Sequence, residues 1–265
     1  MKKNNFSVFL AYSLLLTFLV SCSSSTDNTG NNTNYTPIKM KFKTGSIAYY
    51  ELLVIDTADA QGNNGDRIDT AGAQYNIQEM VLDTNRSYGG YSSGVTMNLF
   101  ASSPRDTDYY YQDASGNLYR YNYGFSILNQ QYPSLAIALG SPIDVHWVLV
   151  AKPGAPAGTT WTAVSDSATF QSFGNIKVFL KDAATAMTDT TFIISTDTVK
   201  AVHVRHLVTA STPAGTIAMN GQIVIDTYVS PELGFTVEDF FHHSKITSPL
   251  INSQQKGSLK LMTLK

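Results

Sequence analysis

The chain predicts an all-β fold, a curved antiparallel sheet or half-barrel with little helix, and three observations carry that expectation. Val, Ile, Thr, Tyr and Phe dominate the ordered runs, apolar and polar residues alternate along several of them, and turn signals recur at short intervals. Helical periodicity is nearly absent.

IKMKFK, Ile38 to Lys43, alternates apolar residues with lysine and reads as a strand with one wet face. Thr44, Gly45 and Ser46 turn the chain into IAYYELLVIDT, and a polar loop from Thr57 to Gln74 follows. YNIQEMVLDT and GVTMNLFAS come next as a hairpin around the Gly-rich SYGGYSSG. The clearest hairpin is DYYYQDASGNLYRYNY, with Ala114, Ser115, Gly116 and Asn117 as its turn. Alternation along its second arm puts Tyr119, Tyr121 and Tyr123 on one side. Such a row either stacks against sugar rings or packs across strands, where aromatic pairs add about 0.2 to 1 kcal/mol each. Leu135 to Leu139 reads as one short helix or a buried strand. The second half continues as ATFQSFGNIKVFL, TTFIISTDTVKAVHVRHLVTA, GTIAMNGQIVIDTYVS, FTVEDFFHHSKIT and SLKLMTLK. Pro231, with its φ already fixed, and Gly234, free to take a positive φ, make SPELG the turn between two of these strands. No repeat of fixed period is visible.

The first 21 residues read as a signal peptide: Lys2 and Lys3 precede an apolar run from Phe6 to Val20, too short for a permanent span. LVSC, Leu19 to Cys22, resembles the lipobox of bacterial lipoproteins, in which the cysteine is acylated, with palmitate among its chains, and becomes the new amino terminus. Cys22 is the only cysteine, so no internal disulfide can form. Residues 22–37 are nearly all Ser, Thr, Asn and Gly and read as a flexible tether. Residues 38–265 then form a single all-β domain. The resemblance implies a lipid-anchored envelope protein whose membrane partner is held through Cys22. Ser23 stands where an inner-membrane retention aspartate would, and no acidic cluster follows, which implies the outer membrane and its periplasmic side.

Charge narrows the partners. The chain has 18 Lys plus Arg against 20 Asp plus Glu, a mildly acidic balance that argues against nucleic acid. A transmembrane barrel is not expected, because the strands are not consistently apolar on one face and Leu264 and Lys265 lack an aromatic ending.

KPGAPAGTTWT, with Gly158, Thr159, Thr160 and Trp161, and DTYVSPELGFTVED, with Tyr228, Ser230, Pro231 and Gly234, resemble a layout of exported bacterial lipoproteins related in fold to the carriers LolA and LolB. The resemblance covers Lys152 to Lys265. It implies a half-barrel curled around a lipid-binding cavity, and it brings over no catalytic residue.

Candidate chemistry is sparse. VEDFFHHS, Val237 to Ser244, gathers two carboxylates and two histidines, but strand alternation divides them: Val237, Asp239, Phe241 and His243 on one side, Glu238, Phe240, His242 and Ser244 on the other. His206 shares a face with Val202, Val204 and Val208. His203 shares the opposite face with Arg205, whose charge opposes a cation there. His203 could still meet His242 or His243 across the sheet; His146 completes the five histidines. A zinc site would need three or four convergent ligands, and none is expected. Asp59, Asn63, Asn64, Asp66 and Asp69 could supply calcium oxygens, yet Asn64 stands where the EF-hand pattern needs Gly, and a solvated loop is the plainer reading. Asp56-Thr57-Ala58, Asp69-Thr70-Ala71, Asp166-Ser167-Ala168, Asp189-Thr190-Thr191 and Asp197-Thr198-Val199 resemble O-glycosylation acceptors of Bacteroidota. No nucleophile elbow, zincin motif or phosphate loop is present, and no cofactor is implied. The expected function is non-enzymatic: a membrane-anchored protein that binds a lipid or other apolar ligand in its curved sheet. The alternative is an envelope scaffold that binds glycan or protein through the tyrosine-rich face.

Overall fold

A computed structural model describes residues 35–58, 64–68, 77–100, 106–121, 147–170, 176–213, 220–247 and 252–265. The described residues form fourteen strands and no helix. These are β1 (Ile47–Ala58), β2 (Asn64–Ile68), β3 (Ile77–Tyr88), β4 (Tyr91–Phe100), β5 (Asp106–Gln112), β6 (Leu118–Tyr121), β7 (Trp147–Ala151), β8 (Thr160–Phe170), β9 (Ile176–Ala186), β10 (Thr190–Ile194), β11 (Asp197–Ser211), β12 (Asn220–Ser230), β13 (Phe235–Thr247) and β14 (Asn252–Leu264). Leu135 to Leu139 lie outside the described residues.

One antiparallel sheet runs in the order β7-β6-β5-β4-β3-β1-β14-β13-β12-β11-β9-β8, with β2 added to β1 and β10 to β11. Strand twist curls this sheet until its two edges, β7 and β8, come together. There the Trp161 indole Nε1 donates to the Leu149 carbonyl at 3.0 Å. The expected curved antiparallel sheet is present, and its curvature continues to a nearly closed barrel. Two expectations need correction. Part of the loop expected at 57–74 is strand, because Asn64–Ile68 pairs with Ile55–Ala58. Ile38 to Lys43 is not a strand.

Those residues instead form a strap across one end of the barrel. Ile38 N–H donates to the Pro153 carbonyl at 3.1 Å and Lys41 N–H to the Pro231 carbonyl at 2.7 Å. Gln112 holds the middle: its Oε1 accepts from Met40 N–H at 2.9 Å and its Nε2 donates to the Ile38 carbonyl at 2.8 Å. The strap's backbone groups are thus satisfied by the turns it crosses. It lies so close to them that only glycine fits beneath. A Cβ on Gly154 would stand 2.4 Å from the Thr36 carbonyl oxygen, and one on Gly234 2.9 Å from that of Lys41. Both glycines have positive φ, so the SPELG turn read from Pro231 and Gly234 is present and also receives the strap.

The β10–β11 hairpin works at the same end. It brings Ile194, Val199 and Ala201 into one apolar cluster with Ala48, Tyr50, Val81, Phe235, Val237 and Leu261. Outside, Glu51, Lys177, Lys181, Lys200 and Lys260 are exposed, so the outer surface is wet.

Gly154→Ala and Gly234→Ala should each cost about 2 to 3 kcal/mol in denaturant unfolding, the sum of left-handed backbone strain and a displaced strap. Gly158→Ala is the control. Its φ is also positive, but a Cβ there meets nothing within 4 Å, so it should cost only about 1 kcal/mol.

Candidate functional site

The barrel's inner wall is polar at its centre. Register puts Glu79 opposite Ala48, Asn98 opposite Asp108, Tyr110 opposite Arg120 and Thr227 opposite Asp239, all facing inward. Glu79 accepts from Tyr50 Oη at 2.9 Å and from Asn98 Nδ2 at 2.6 Å, and Tyr50 Oη also reaches the Thr236 carbonyl at 3.0 Å. Arg120 pairs with Asp108, and His206 Nδ1 with Asp182 Oδ2 at 2.9 Å. His206 is buried with Val202, Val204 and Val208, as alternation predicts.

Burial sets the ionisation of this network. It raises the Glu79 carboxyl from 4.5 to about 7, although the hydrogen bond from Asn98 opposes the shift. Burial raises Asp239 as well. For His206 burial disfavours the charged ring, but Asp182 outweighs it and the pKa rises.

A cavity of about 20 Å³ open to the centre of a water molecule lies inside this wall, room for one or two waters. Met40 and Phe42 of the strap close it, and Glu79, Arg120, His206 and Asp239 supply its charged lining. Lipid acyl chains need a far larger, desolvated space.

The outer face of β3 to β7 is aromatic. Tyr119 and Tyr121 share it, as the hairpin reading expects; Tyr123 lies outside the described residues. The β3–β4 hairpin folds back over them. Tyr88 stacks on Tyr109 at 3.5 Å between ring centroids, and Tyr91 on Tyr111 at 3.7 Å. Trp147 meets Tyr91, Tyr111 and Tyr121 edge-on at 5.3, 6.2 and 5.1 Å. Its Nε1 donates to the Gly89 carbonyl at 2.8 Å, pinning the hairpin tip. Val95 is fully buried on this side. The rings are half-buried and partly cover one another, so they form a built aromatic face rather than a loose row.

The meeting of histidines left open by the sequence occurs around Asp226, on the outer face of β11 to β13. Arg205 donates Nε and one terminal nitrogen to the two carboxylate oxygens, each at 2.8 Å. His242 Nε2 bonds the same carboxylate, and His203 Nε2 lies 3.0 Å away but poorly aligned for a hydrogen bond. Burial opposes ionisation of Asp226, but these donors outweigh it and hold the carboxyl well below the usual range. His203 stacks on Tyr228 at 4.4 Å, and His242 meets Phe240 edge-on at 4.6 Å. The strict alternation expected along VEDFFHHS is broken by register shifts at Thr236/Glu238 and Phe241/His243. His242 is the extra residue of the second bulge and stays on the face of Phe240, toward Asp226, as alternation predicts. Among the described residues no group of three His, Cys, Asp or Glu could hold a metal ion. Cys22, His146, Asp59, Asn63 and Asp69 lie outside the described residues.

The inner network and the Asp226 cluster had one legible signal each: a charged residue on the apolar side of an alternating strand, as Glu79 with Val81, and a His-x-Arg facing across two strands.

No protein-family model matches the chain, and no curated protein is significantly similar to it in sequence. Among solved structures, a proposed lipoprotein of Parabacteroides distasonis is similar, with a TM-score of 0.43 and 10% identity over 88% of this chain and 100% of that one. A proposed exported protein of Bacteroides fragilis with a YmcC-like fold has a TM-score of 0.35 and 11% identity over 87% of this chain and 100% of its own.

Because the native state holds the Glu79 proton up to about pH 7 while the unfolded chain releases it near 4.5, Glu79 favours folding most at low pH. Its contribution should fall as pH rises from about 4.5 to 7 and stay flat above. Glu79→Gln should remove that fall, a difference on the order of 3 kcal/mol across the window, read from urea unfolding of both proteins at several pH values.

Proposed function

We propose that the protein is a lipid-anchored, non-enzymatic envelope protein that binds glycan through the outer aromatic face of β3 to β7. The Cys22 lipobox, the polar tether after it and the short apolar leader support the anchor. The outer membrane, on its periplasmic side, fits the residues after Cys22 best. The observation that carries the ligand reading is the convergence of Tyr88, Tyr91, Tyr109, Tyr111, Tyr121 and Trp147 on one outer surface. Rings fixed by mutual stacking lose little conformational freedom when a flat, weakly polar partner such as a sugar ring lies on them. The acidic, lightly charged chain suits a neutral ligand. The apolar-ligand reading draws no support from an interior lined by Glu79, Arg120, His206 and Asp239.

Full-length protein in detergent should bind a subset of a printed oligosaccharide array. Trp147→Ala should weaken the best binder at least about tenfold by titration calorimetry while leaving the circular dichroism unchanged. A folded Trp147→Ala protein that binds as the parent does would overturn the glycan site. Metabolic labelling with palmitate should mark the parent, and Cys22→Ala should lose the label and leave the membrane fraction.

A further inference from the structure

The seam where the sheet closes on itself is held from inside by a histidine. Among the described residues no backbone pairing joins β7 to β8, the two ends of the strand order. Two consecutive carbonyls of β7 instead accept from side chains: Leu149 from the Trp161 indole of β8 at 3.0 Å, and Val150 from the His206 ring. Val150 is the extra residue of a bulge between β6 and β7, where Leu118 faces Ala151 and Tyr119 faces Leu149. Bulges re-aim the backbone, and the carbonyl of this one meets a donor that reaches it through the interior.

His206 comes from β11, with β9 and β8 between it and the seam, and its second nitrogen binds β9. Nδ1 lies 2.9 Å from Asp182 Oδ2, and both side chains are 2% exposed. A carboxylate and a carbonyl can only accept, so holding both takes two ring N–H groups, which the imidazolium alone supplies. A neutral ring keeps one. Asp182 claims it, because a hydrogen bond to an ionised acceptor is roughly twice as strong as one between neutral groups, and its other oxygen has no donor. The bond given up is the one to Val150. Other titratable groups face the ring across the cavity: Asp239 of β13, Glu79 of β3, Tyr110 of β5, and Arg120 of β6 in its pair with Asp108. Burial disfavours the charged ring, but Asp182 and Asp239 outweigh it and raise its pKa above 6.5.

We propose that His206 is a proton-operated latch on the barrel's seam: as the imidazolium it ties β9 to β7, and on losing a proton it releases β7. The Trp161–Leu149 bond then holds the seam without its inner partner. Because the closed seam keeps the proton more tightly than an open one, which releases it near 6.5, closure is firmest below that pH and weakens as pH rises through the closed-state value. β7 also carries Trp147, so the latch couples proton concentration to one ring of the outer aromatic face. The latch itself stands whether or not that face binds glycan.

Hydrogen–deuterium exchange of the full-length protein in detergent, from about pH 5.5 to 9 and corrected for the chemical exchange rate at each pH, tests it. Protection of β7 and of the facing end of β8, Thr160 to Val164, should fall by at least about threefold above pH 6.5 while β12 and β13 keep theirs. His206→Gln, which cannot titrate, should show no such fall. Two controls should keep it: His242→Gln, on the outer wall, and Glu79→Gln, whose own window closes at about pH 7. The parent decides even where His206→Gln does not fold, since protection of β7 that stays level, or that falls in step with β12 and β13, would overturn the latch. So would an equal fall in folded His206→Gln, or loss of the fall in either control.

Discussion

The width of the barrel is the constraint from which the rest follows. About eight strands enclose a space that side chains can just fill, and here twelve lie along the path from β7 to β8. Aliphatic side chains alone cannot span such an interior. Long polar ones do, with Arg120, Glu79, Tyr50, Tyr110 and His206 reaching inward and bonding one another. The apolar cluster is displaced to one end, where the β10–β11 hairpin supplies the surface it lacks. The strap seals that end and takes the place of a further layer of core.

This arrangement assigns different work to the two faces of the sheet. Inside, hydrogen bonds and ion pairs fix a unique packing, at the cost of carboxyl groups forced toward protonation. Outside, the same strands carry a second aromatic packing layer under the folded-back β3–β4 hairpin. The strap ties the two together at one end, because it runs from Ile38 across the turns at Gly154 and Gly234 and on into β1.

Much of this was legible in the residues. Alternation and turn chemistry located the Ala114 to Asn117 hairpin and the Pro231 and Gly234 turn, and they put His206 with the valines and His203 on the opposite face with Arg205. Three features were not legible. Ile38 to Lys43 alternates like a strand, but its backbone partners are turn carbonyls and the Gln112 side chain, contacts that lie far away in sequence. The bulge at His242 depends on register with β12 and β14, which a period of two cannot reveal. The inner network joins residues from β1, β3, β4, β5, β6, β9, β11 and β13, so each member reads alone as an ordinary charged strand residue. Glu79 beside Val81 was the one visible exception.

The central claim is the proposal that the outer aromatic face, and not the polar interior, carries binding. Native mass spectrometry of the full-length protein, extracted from its own envelope, tests it most directly. The account predicts the mass of the acylated chain with no further lipid retained after gentle removal of detergent. A stoichiometric, non-covalently held lipid that survives to the bare chain would contradict it.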